Sequence, residues 1–157
     1  MQPQQTRGFT VIELLVTLAI LGVLVLVAMP LAEVTIKRNK ESELRTNLRQ
    51  IRNALDAYKQ AYDEGRMPKV VGASGYPPSL QVLVDGVTDV SQPNQPKLYF
   101  LRRIPRDPFN ADASTENMWG LRSYASSAKE PQPGKDVFDV YSLSNQIGLN
   151  GVVYREW

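Results

Sequence analysis

RGFTVIELLVTLAILGVLVLVAMPL, residues 7–31, is apolar over almost its whole length and, after Arg7, carries one charged side chain, Glu13. From Phe9 to Ala32 the run is long enough to cross a bilayer, which takes about 20 helical residues. A carboxylate at that depth costs roughly 2.5–3.5 kcal/mol on insertion scales, so such residues usually have a partner and a task. The plainer alternative is a glutamate near the start of the span that reaches the headgroups. Small Gly8 lies before the apolar core, whereas an ordinary secretory signal has its small residues after it. A cut after Gly8 would release a brief polar leader and leave the hydrophobic segment on the mature chain.

Moving outward, the apolar spacing continues past Ala32 as Leu44, Leu48, Ile51, Leu55, Tyr58 and Tyr62, in steps of four and three. That spacing predicts one stripe of an amphipathic helix. Ala54, Ala57 and Ala61 widen the stripe, while Arg45, Arg49, Arg52 and Asp56 lie off it. Gly65 and Pro68 are natural stop signals. A single helix over residues 10–64 would be about 80 Å long at roughly 1.5 Å per residue. Gly22 and Pro30 interrupt its hydrophobic half, and Pro30 removes a backbone donor, so both mark a weak point. A two-stranded coiled coil would use the same stripe. Its shortness and the polar residues between Glu33 and Glu43 favour packing onto a sheet instead.

After Gly65 the composition shifts to Pro, Gly and Ser punctuation. Residues 79–84 read as a short helix with Ser79 near its cap. Residues 121–126, 137–143 and 151–155 read as three strands. In the middle one, Val137, Asp139, Tyr141 and Leu143 face one way and Phe138, Val140 and Ser142 the other. Strands this short need a partner surface. The predicted architecture is α+β: a long N-terminal helix packed on a small antiparallel sheet, with Trp119 and Trp157 sealing the core.

Composition narrows the chemistry. Lys and Arg number 18 against 16 Asp and Glu, a net charge of +2, so no polybasic surface argues for nucleic acid. Cysteine and histidine are both absent, which removes disulfides, thiolate metal sites and the commonest general base. The closest carboxylate pairs in the head are Asp136 with Asp139 and Asp107 with Asp112. They read as solvated edge or turn residues, and no catalytic residue is assigned. A ligand-binding role for the aromatic residues is weaker than a core role.

The block Gly8-Phe9-Thr10-Val11-Ile12-Glu13, followed by a membrane-length apolar run, resembles the cleavage and methylation segment of type IV prepilins and of type II secretion pseudopilins. IPRDPF, residues 104–109, resembles the proline-rich loop of the major pseudopilin, with Asp107-Pro108 as its turn. The resemblance implies a pilin-like chain made of a leader (1–8), a transmembrane and assembly helix (9–32), an amphipathic helix (33–65) and a globular head (66–157). It implies cleavage after Gly8 by a prepilin peptidase, N-methylation of Phe9, and pairing of Glu13 with the Phe9 amine of a neighbouring copy. Loss of helicity around Pro30 and Gly22 in the filament is part of the same picture. The implied partners are other copies of the chain, other pseudopilins, the peptidase, an inner-membrane assembly platform and the membrane itself.

Two points pull against the family pattern. Arg7 alone precedes the span while Lys37, Arg38, Lys40 and Arg45 follow it, so charge counting would put the head in the cytoplasm. The resemblance implies a single-pass inner-membrane protein with a periplasmic head, and the more specific motif is followed here. Major pseudopilins also carry an acidic, calcium-binding loop before a final tryptophan. The matching SLSNQIGLNG, residues 142–151, has no carboxylate. Asp136 and Asp139 upstream would point to opposite faces of a strand. Asn145, Asn150 and carbonyls remain as weak ligands, and no metal or other cofactor is expected. The alternative function is a type IV pilus subunit, for adhesion, motility or DNA uptake. A membrane-anchored periplasmic enzyme is more remote.

Overall fold

The structure, a computed structural model, describes residues 8–111, 114 and 117–157. The chain divides after Asn39 into two compact units. One helix, α1 (Val11–Asp63), contributes to both. Its bounds fall within one residue of the span that the apolar spacing predicts.

In the first unit α1 is predominantly apolar up to Leu31, with Glu13 as its one charged residue there. The large apolar side chains described between Phe9 and Ile36 are 45% to 81% exposed. By length and composition this helix can cross a membrane. The helix is continuous through Gly22 and Pro30.

The second unit is built on the rest of α1. Leu44, Leu48, Ile51 and Leu55 are buried, following the predicted stripe, and Ala54 and Ala61 are buried beside them. Ala57, expected to widen the stripe, is exposed. Tyr58 is half-buried, its ring 5.4 Å from that of Phe100. The helix ends in a Schellman turn: Gly65 N–H bonds the Tyr62 carbonyl at 3.1 Å and Arg66 N–H bonds that of Ala61 at 3.0 Å. Gly65 supplies the positive φ of 72° that this turn needs.

Helix α2 (Leu80–Asp85) follows, with Ser79 at its N-cap position but no side-chain cap bond. Leu80 and Leu83 send its buried face into the α1 core. Two strands not anticipated from the sequence come next, β1 (Val87–Thr88) and β2 (Lys97–Leu98), paired antiparallel with Val87 opposite Leu98. A two-residue strand is too short to show a period. A second antiparallel pair joins β3 (Trp119–Arg122) to β4 (Asp139–Ser142), with Trp119 opposite Ser142 and Arg122 opposite Asp139. Trp119, Val140 and Tyr154 from this side complete the core with Leu101, Met118 and Val137.

Strand β3 stops at Arg122, short of the predicted Ser126, because Ser123 closes a turn: its carbonyl accepts Ser126 N–H at 3.1 Å. In β4 the predicted faces hold, with Val140 and Ser142 buried and Asp139 and Tyr141 half-buried. Val137 departs from that alternation because it lies before the strand, where its N–H bonds the Pro77 carbonyl at 2.8 Å. The predicted third strand, 151–155, does not form. An isolated bridge pairs Ile147 with Val153, and Tyr154–Glu156 is a 3-10 turn. That turn sets Tyr154 and Trp157 on the same side. Tyr154 is fully buried, stacked on Phe109 with centroids 4.0 Å apart, and Trp157 meets it edge-on at 5.1 Å.

Candidate functional site

At the N-terminal end, Gly8 and Phe9 precede α1 and are exposed. Residues 1–7, the rest of the predicted leader, lie outside the described residues. Thr10 takes the N-cap position of α1. Its Oγ1 accepts Glu13 N–H at 3.3 Å, and the Glu13 carboxylate reaches back to Thr10 N–H at 3.4 Å. This is the reciprocal pattern of a capping box. The sequence signal was present as Thr-x-x-Glu at 10–13. Both bonds are long, and Glu13 is exposed, so its carboxylate is accessible to a stronger donor. Carboxylates are also favoured in the first turn by the helix dipole.

Gly22 has open space where a Cβ would be. It and Pro30 sit well inside α1, separated from the Glu13 end by further apolar turns.

The segment that resembles the pseudopilin proline-rich loop is pinned from three sides. Asn47 of α1 donates to the Arg106 carbonyl at 2.7 Å, and Trp119 Nε1 donates to that of Pro105 at 2.9 Å. Asp107 is fully buried and accepts Phe109 N–H at 2.8 Å and the Ser142 hydroxyl at 2.6 Å. The expectation of a solvated turn residue is therefore wrong for Asp107, whose burial follows from those donors. Asp112 lies outside the described residues.

The head contains two further buried carboxylates that the sequence reading passed over, Glu41 and Asp89. Glu41 is 6% exposed; one of its oxygens accepts Leu149 N–H at 2.6 Å and the Tyr154 hydroxyl at 2.9 Å. Extending the apolar stripe three residues back from Leu44 lands on it. Burial, then the Glu41 bond and charge, push the Tyr154 hydroxyl up to about 12. Arg52, two turns before Tyr58 on the same helix, donates to Asp139 at 2.8 Å and to the carbonyls of Val140 and Trp157 at 3.1 and 3.0 Å. The Arg45 guanidinium lies 4.4 Å from the centre of the Trp157 ring. Trp157 thus closes the core together with two helix arginines, and Trp119 is buried as expected.

Asp136 and Asp139 do not converge. Asp136 precedes β4 and accepts Tyr124 N–H at 2.8 Å, while Asp139 belongs to Arg52. Asp136 also lines a groove of about 1260 Å³ with Tyr62, Val71, Tyr124 and Lys135. Among the described residues no three His, Cys, Asp or Glu side chains are grouped to hold a metal ion.

Comparison with known proteins assigns this combination. Residues 4–29 match the model of the prokaryotic N-terminal methylation motif. The chain is 33% identical to type II secretion system core protein G of Klebsiella pneumoniae over 114 residues, 69% of this chain and 73% of that protein. It is 32% identical to the Pseudomonas aeruginosa protein of the same name, over 91% of this chain and 86% of that one. For the Klebsiella michiganensis protein the identity is 27% over 87% and 92% of the two chains. No solved structure matches the chain. With its methylation motif, its exposed apolar helix and its α+β head, the chain belongs to the family of type II secretion system core protein G, the major pseudopilins.

Proposed function

We propose that the chain is a structural subunit of a type II secretion pseudopilus and has no active site of its own. The observation that carries this reading is the methylation motif over residues 4–29 in a chain similar to core protein G along most of its length. Residues 1–8 act as a leader, removed after Gly8 by a prepilin peptidase that also methylates the new Phe9 amine. Residues 9–32 hold the subunit in the inner membrane before assembly, with the head in the periplasm. Glu13 pairs with the Phe9 amine of the next copy and sets register. Its exposure and its weak local bonds support that role. In a low-dielectric bundle either charge alone is penalised, so the pair specifies alignment more than it adds stability. Pro30 and Gly22 give the helix a place to lose helicity as it leaves the bilayer. The partners are further copies, other pseudopilins, the prepilin peptidase, the inner-membrane assembly platform and the membrane.

Asp89, Asp107, Asp139 and Glu41 are each taken by an ion pair or by hydrogen-bond donors. Mass spectrometry of the protein from secreting cells should give a chain starting at methylated Phe9, and Gly8→Trp should leave the precursor. Electron microscopy of sheared cells should show filaments that Glu13→Leu abolishes while membrane insertion persists. An intact Met1 start in the wild type, or normal filaments in the variant, would sink the proposal.

A further inference from the structure

By the resemblance, the loop over residues 142–151 corresponds to the calcium-binding loop of major pseudopilins, and the side-chain oxygens of its Ser142, Ser144 and Asn150 are already engaged. The Ser142 hydroxyl donates to Asp107 at 2.6 Å and accepts Ser144 N–H at 3.1 Å. Ser144 Oγ accepts Gln146 N–H at 3.3 Å, and Asn150 Oδ1 accepts Val152 N–H at 3.1 Å. These bonds close local turns. Calcium takes six to eight oxygens, usually several of them carboxylate, converging at about 2.3–2.6 Å. The donor set of this loop does not fit that demand.

Negative charge reaches the loop from outside it. At its start Asp107 holds Ser142. Near its end Glu41 holds Leu149 N–H at 2.6 Å and, just beyond, the Tyr154 hydroxyl at 2.9 Å. Both carboxylates are buried, and both are met by donors on the segment they fasten. Charge-assisted bonds of this kind are the stronger class, and a buried carboxylate that loses its donors is heavily penalised.

We propose that Asp107 and Glu41 fasten the two ends of the 142–151 loop and stand in for calcium there, so that this subunit folds without the ion. The inference rests on family membership for its comparison with calcium-binding relatives, but not on filament formation.

The test uses the full chain in detergent, followed by thermal unfolding in near-ultraviolet circular dichroism. The wild-type midpoint should be the same with calcium at ~1 mM, enough to fill a weak extracellular site, as with EGTA. Glu41→Ala should lower it by about 5 °C or more, and calcium should not restore it. Tyr154→Phe should give a smaller fall. A wild-type midpoint that calcium raises or EGTA lowers would overturn the proposal, as would a Glu41→Ala chain that melts like the wild type. Should Glu41→Ala not fold, the wild-type comparison and Tyr154→Phe decide the matter. Because isolated subunits are measured, failure of filament assembly would not be mistaken for failure here.

Discussion

The buried Tyr154 hydroxyl donates to Glu41 across 113 residues of sequence, joining the amphipathic half of α1 to the last turn of the chain. The tyrosine keeps its proton in the folded head up to about 12, against an ordinary 10.0. An unfolded chain loses that proton first, so this stabilisation is complete below pH 10.0 and is lost as pH rises toward 12. The unfolding midpoint should therefore fall steeply over that alkaline interval. Tyr154→Phe should flatten the fall while lowering the midpoint at neutral pH. An unchanged alkaline slope in the variant would contradict the assignment.

The acid side is governed by Asp89, in the loop directly after β1. Arg66, whose N–H closes the Schellman turn, donates to the fully buried Asp89 carboxylate at 2.8 Å, and Ser91 donates its hydroxyl and N–H at 2.5 and 3.0 Å. The Ser91 hydroxyl, then Arg66, hold the Asp89 carboxyl at about 2, below the usual 3.8. The depressed value means the stabilisation is present above pH 3.8 and drains away as pH falls toward 2. Circular dichroism titration should show that acid loss in the wild type and a weaker dependence over the same interval in Asp89→Asn.

Gly120 faces Tyr141 across the β3–β4 pair, and a Cβ there would run into the tyrosine ring. The ring covers the glycine, with the Arg155 guanidinium 5.6 Å from its centre. Gly120→Ala should cost about 1–3 kcal/mol, the usual range for overpacking. Chemical unfolding of Gly120→Ala in a Tyr141→Ala background should show most of that cost removed. A cost that persists without the ring would place the strain in the backbone instead.

The long helix was legible because its pattern repeats over many turns: the stripe from Leu44 to Leu55 lies on the core, and both ends fall beside their stop and start signals. Shorter elements had no room for a period. Two-residue β1 and β2 went unseen, and residues 151–155, strand-like by composition, turn instead because Tyr154 must enter the core. The methylation motif was legible since it is local. Glu41, Asp107 and Arg52 were not, because their partners lie 35 to 113 residues away and only the tertiary fold brings them together.

At the N-terminus, Glu13 has two separable tasks, capping α1 and offering a charge to a neighbouring copy. Glu13→Gln keeps an oxygen for Thr10 N–H but loses the charge, so helix content and insertion should hold while filaments disappear. Thr10→Val removes the Oγ1 acceptor of Glu13 N–H and leaves the charge, at a cost of about 0.5–2 kcal/mol for a lost cap. In detergent that cost should show as slight fraying by circular dichroism, with filaments still visible in sheared cells. Equal loss of filaments in both variants would mean that the capping box, and not the charge, is what assembly needs. Normal filaments in Glu13→Gln would instead show that a neutral acceptor suffices to set the register.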